Sequence, residues 1–125
     1  MKGNRFSILK RLYSFKYAFN GLRILFKEEH NARIHLVAAI CAIVLAGVLN
    51  ISALEWVAIV LAIGLVISLE AVNSAIENLA DYVSPNWNHN IKRVKDISAA
   101  GVLIASIVAL VTGLLIFIPK IIELC

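Results

Sequence analysis

Charge is scarce over most of this chain. Between Leu36 and Leu69 only Glu55 is ionisable at neutral pH, and from Ile97 to Pro119 there is no charged residue. Only 16% of the 125 residues are Asp, Glu, Lys or Arg, while 61% are hydrophobic. A soluble domain carries roughly 45–50% apolar residues, and a chain this short cannot bury the excess. The two cysteines, Cys41 in an apolar run and Cys125 at the end, form neither a disulfide framework nor a metal pair. The six glycines are scattered. Neither G-x-x-x-x-G-K-[ST] nor G-x-G-x-x-G occurs, which removes the soluble P-loop and Gly-rich-loop kinases as templates. His30, His35 and His89 have no metal-ligand spacing and read as polar interface residues. No uninterrupted apolar segment precedes Ile34, so the N-terminus does not read as a signal peptide.

What is present is a membrane pattern. Eight of the twelve Lys and Arg residues lie before Leu36. Residues 5–27 read as an amphipathic surface helix, with Phe6, Leu9, Tyr13, Tyr17, Leu22, Leu25 and Phe26 apolar and Lys10, Arg11, Lys16, Arg23 and Lys27 basic. Three apolar stretches follow, about 34–50, 55–81 and 96–118, the last ending at Pro119. Each is long enough, with its flanks, for a crossing of ~20 residues. The expected fold is an all-α membrane protein: one domain over residues 1–125, a surface helix and three transmembrane helices. Trp56 suits an interfacial anchor. Lys92, Arg93 and Lys95 fall in a polar segment after the second crossing, and the turn between the first two crossings has no basic residue. The positive-inside rule then puts the N-terminus and the 82–95 segment in the cytoplasm and Cys125 outside. The basic character is local, which favours a membrane surface over nucleic acid. Gly101, Ala105, Ala109 and Gly113 make a small-residue stripe suited to close helix approach.

The second crossing carries the chemistry. At ~100° per residue, Glu70, Asn73, Glu77 and Asp81 share one face of a helix, with Ser74 beside them. Fourteen uncharged residues precede Glu70. A carboxylate at that depth is costly and marks a cavity, a partner or a function. Glu28 and Glu29 before the first crossing, and Lys95 and Asp96 opening the third, are expected at the same interface. Carboxylates from different helices with a lysine can hold Mg²⁺ and a polyphosphate, because hard cations prefer oxygen ligands and bridge to phosphates. Read singly, Asp96 is a helix N-terminal charge and Lys95 a snorkelling cation.

The run Glu70-Ala71-Val72-Asn73-Ser74-Ala75-Ile76-Glu77, with Asp81 and Lys95-Asp96, resembles the small prokaryotic diacylglycerol kinase family, which includes undecaprenol kinases. Asn20-Gly21-Leu22-Arg23 and Glu28-Glu29-His30-Asn31-Ala32-Arg33-Ile34-His35 are similar to it as well. The resemblance covers nearly the whole chain. It implies an ATP-dependent, Mg²⁺-requiring kinase of a lipid hydroxyl in the bacterial inner membrane, acting as a homotrimer with shared active sites. It implies Glu70 as general base and Glu29 and Glu77 as metal ligands. Lys10, Tyr17, Glu29, Asn73, Glu77, Lys95 and Asp96 match the nucleotide side; Arg33, Trp56 and Glu70 are assigned to the lipid. Lys10 stands where many relatives have Arg, and Asn86-Trp87-Asn88 replaces an acidic-aromatic-His triplet. Undecaprenol and diacylglycerol both remain open as acceptors. A rival reading makes Glu70 the proton relay of a small transport subunit; it leaves Glu29, Lys95 and Asp96 without a purpose.

Overall fold

The computed structural model describes residues 7–125. Arg5 and Phe6, the start of the expected surface helix, lie outside the described residues. The described residues form four helices, α1 (Ile8–Glu28), α2 (His30–Val48), α3 (Ala53–Val83) and α4 (His89–Leu124). The last three are each long and apolar enough to cross a membrane. They alternate in direction through short connections, so the N-terminus of α2, the C-terminus of α3 and the N-terminus of α4 meet at one end.

Local chemistry sets the boundaries. Ser7 caps α1 by accepting from the Lys10 N–H. Between α2 and α3, Asn50 adopts φ 51°, a left-handed conformation that asparagine tolerates better than most residues. The Ile51 N–H then donates back to the Ala46 carbonyl, closing the last turn of α2. Ser52 and Glu55 cap α3 reciprocally: Ser52 Oγ accepts from the Glu55 N–H, and Glu55 Oε1 accepts from the Ser52 N–H. Asn88 Oδ1 caps α4 by accepting from Asn90 and Ile91.

Three boundaries differ from the sequence reading. α2 begins at His30 rather than near Ile34. The polar segment after α3 shrinks to Ser84–Asn88, because the Asn88 cap starts α4 early; Lys92, Arg93 and Lys95 thus ride on the first turns of α4. Pro119 does not end the last helix, which runs on to Leu124. Proline removes one backbone donor, but the apolar residues beyond it continue the pattern, and Lys120 Nζ lies 3.5 Å from Glu55 Oε1.

Packing is closest between α3 and α4. At the end opposite the charged groups, Ala46, Ile51, Ile59 and Ile116 form a buried apolar cluster, flanked by Trp56, Ile63 and Phe117. The small-residue stripe of α4 is partly used inside the chain: Ala105 is buried, while a side chain built at Gly101 would meet nothing. Large apolar side chains such as Val37, Val44, Val60, Leu61, Ile104 and Leu115 are exposed on α2, α3 and α4. A continuous apolar exterior of this kind suits a lipid environment, not water. In α1 only Leu25 is buried.

Candidate active site

α1 and α2 are separated by one residue, Glu29, whose backbone is extended at φ −99° and ψ 114°. Its N–H donates to Leu25 of α1 and its carbonyl accepts from Arg33 of α2. The break places the carboxylate at the N-terminus of α2, where the helix dipole favours negative charge. From there Glu29 Oε1 accepts a hydrogen bond from Ser74 Oγ of α3 at 3.0 Å. Ser74 is itself buried. A residue at the junction of α1 and α2 is thereby tied to the stripe of α3.

Exposure along that stripe rises toward the end of α3. Glu70 is 2% exposed, Asn73 and Glu77 are half-buried, and Asp81 is exposed. Two of these residues bond to α4. Asn73 Oδ1 accepts from Ser98 Oγ at 2.7 Å, and Asp81 Oδ1 is ion-paired with Lys95 Nζ. Glu70 Oε2 lies 3.7 Å from Nε2 of His35 on α2. The charges of Glu29 and Glu77 both reach Glu70, and the charge of Glu77 also reaches Lys95. Glu29, Glu70, Glu77 and Lys95, from three elements, therefore form one electrostatic unit at one end of the bundle.

Other expected site residues stand apart. Asp96 is exposed and pairs with Lys92 one turn away at 2.7 Å. Arg33 is exposed on α2. Lys10 and Tyr17 are exposed on α1, about 28 Å and 18 Å from Glu29 along the helix at 1.5 Å per residue; Tyr17 stacks on Tyr13, with ring centroids 6.5 Å apart. Trp56 belongs to the apolar cluster at the opposite end, about 21 Å along α3 from Glu70. Two residues at the site, Ser98 and His35, stand outside those the sequence reading assigned to it. Ser98, one turn beyond Lys95 on α4, was not singled out. His35 was placed among the interface residues, although an ionisable group within an apolar helix is the same signal that marked Glu70.

Among the described residues, no three His, Cys, Asp or Glu side chains converge on a metal-sized point. The donors fit Mg²⁺ nonetheless. Glu29 and Glu77 offer carboxylate oxygens, Glu29 is oriented by Ser74, and Mg²⁺ takes one or two protein carboxylates with the remaining ligands from phosphate and water. Between α2, α3 and α4 an apolar cavity of about 530 Å³ runs from His35 and Ile67 toward Phe117 and Ile121.

The model of the family described as prokaryotic diacylglycerol kinase matches residues 16–117. The chain is 35% identical over 120 residues to an undecaprenol kinase of Bacillus subtilis, covering 95% of this chain and 97% of that protein. It is 33% identical over 112 residues to a diacylglycerol kinase of Escherichia coli K12, covering 90% and 92%. A match of this extent, containing every residue of the α3 stripe, makes the chain a member of the prokaryotic diacylglycerol kinase family, a family of membrane lipid kinases.

Proposed function

We propose that the chain transfers the γ-phosphoryl group of ATP to the hydroxyl of a membrane lipid, with undecaprenol ahead of diacylglycerol as acceptor. The observation that carries this is the burial of Glu70 beside a cluster able to hold a charged phosphate chain. The near full-length coverage of the undecaprenol kinase supports the order of acceptors. A proton relay needs Glu70 alone; it does not need Glu29 oriented by Ser74 or Lys95 oriented by Asp81.

Phosphoryl transfer asks for positioning and charge stabilisation more than for covalent chemistry. Glu70 takes the proton of the lipid hydroxyl as that oxygen attacks the γ-phosphorus. The bond from the γ-phosphorus to its bridging oxygen breaks, and ADP leaves. Glu29 and Glu77 would hold Mg²⁺, which when bound would neutralise phosphate charge. Lys95, kept near Glu77 by Asp81, offsets more of it, and Asn73 is fixed by Ser98 for polar contact with nucleotide. The order of depth suits the substrates: Glu70 lies two turns deeper than Glu77, about 10 Å along α3, so ATP is met at the surface and the lipid within the bilayer.

The reading places the site on the cytoplasmic face of a bacterial inner membrane, with α1 lying at the interface, its cations toward anionic headgroups. The basic residues of α1 and of the first turns of α4 support this orientation. Cys125 then faces outward and is labelled by an impermeant thiol reagent in intact cells; labelling restricted to inverted vesicles would reverse the topology. The half-exposed Glu29 and Glu77 are compatible with a homotrimer in which chains complete one another's sites. Purified protein supplied with labelled ATP and each lipid in turn tests the function. Label is expected in undecaprenyl phosphate above phosphatidate, from particles of three chains. Label in neither lipid would end the kinase reading, and full activity from a monomer would end the shared site.

A further inference from the structure

The side chain set against Glu70 belongs to α2. His35 lies among Ile34, Leu36 and Val37 in a helix apolar enough to cross a membrane. An imidazole there is costly unless a polar partner receives it, and Nε2 stands 3.7 Å from Glu70 Oε2. That separation is longer than a hydrogen bond, but about 1 Å of side-chain adjustment closes it. Glu70 is 2% exposed, so water contributes little to orienting its carboxylate. The other charges that reach Glu70, those of Glu29 and Glu77, are of its own sign. His35 is the group of opposite tendency. It also lines the end of the apolar cavity, with Ala38, Ala39, Val66 and Ile67. The imidazole therefore stands between the Glu70 carboxylate, 3.7 Å away, and the apolar cavity that it lines.

We infer that His35 is a positioning residue: its imidazole holds the Glu70 carboxylate turned toward the mouth of this cavity, where the acceptor hydroxyl must arrive. This rests on Glu70 being the base. With Nε2 protonated, the ring donates toward Oε2, restricting the carboxylate to one of its rotamers and leaving Oε1 for the incoming hydroxyl. A general base misplaced by even 1 Å loses much of its effect, on the order of 10²-fold. The interaction concerns proton acceptance alone, so it should appear in kcat and not in the KM for ATP.

Four variants are measured for kcat, for KM of both substrates and for oligomeric state. His35→Leu keeps the apolar volume and removes the donor; kcat should fall roughly 10–100-fold with the KM for ATP unchanged. His35→Gln restores an N–H donor and should recover most of that loss. Combined with Glu70→Gln, His35→Leu should add little, because the group it positions is already gone. Equal losses in the Leu and Gln variants, or a full extra loss on the Glu70→Gln background, would overturn the positioning role. An unchanged kcat in both His35 variants would do the same. Glu70→Gln alone keeps the two readings apart: if it leaves kcat intact, the general-base reading fails first, whatever His35 does.

Discussion

The two ends of the helical bundle handle charge in opposite ways. At the Ser52 end, Glu55 closes the capping box of α3 and sits 3.5 Å from Lys120 of α4, next to a cluster of Ala46, Ile51, Ile59 and Ile116. Glu55 and Lys120 there are of opposite sign, and Glu55 has a structural duty as a cap. At the Glu29 end, the charges of Glu29 and Glu77 both bear on Glu70, the most buried of the three, which faces an imidazole at 3.7 Å. Gathering like charges in a low-dielectric setting opposes folding. Under the proposed function, a bound cation would offset the like charges that Lys95 alone does not balance. The comparison separates charges paired within the fold from charges that the proposed function assigns to a substrate.

Substitutions at the two ends should break or sharpen that contrast. The largest effect is expected at Glu77. Glu77→Gln removes an oxygen assigned to the metal in the proposed function and should abolish transfer while sharply weakening Mg²⁺-dependent nucleotide binding, as measured by calorimetry with and without the ion. Near-normal Mg·ATP affinity in that variant would contradict its assignment. The matched change at the other end, Glu55→Gln, should lower the thermal midpoint slightly by weakening the cap and the Lys120 contact, with turnover untouched. A turnover loss at Glu55 comparable with that at Glu77 would erase the difference between the ends.

Much of this organisation was legible in the residues. Helical periodicity alone put Glu70, Asn73, Glu77 and Asp81 on one face, and the structure keeps them there with exposure rising along the helix. The three crossings followed from long uncharged runs. Their ends followed less well, because stop signals drawn from soluble helices do not bind where an apolar pattern continues: Pro119 lies inside α4. Contacts between elements were the least accessible. Asp81 with Lys95 and Asn73 with Ser98 depend on how the α3–α4 hairpin aligns, which spacing along one helix cannot report. Ser74 was visible beside the stripe, yet its bond to Glu29 spans 45 positions. Trp56 reads as an interface anchor either way, but only the packed bundle shows it at the end remote from Glu70.

The most direct test of the account is the rate of phosphate transfer by Glu70→Gln, set beside its Mg·ATP affinity and oligomeric state on the same preparation. Glutamine keeps the shape and loses the base. The account predicts a drop in turnover of roughly 10²–10⁴-fold, with nucleotide affinity and assembly as in the unaltered protein. A stably assembled variant that transfers phosphate at the original rate would contradict it, and would leave Glu70 as a buried structural partner of His35.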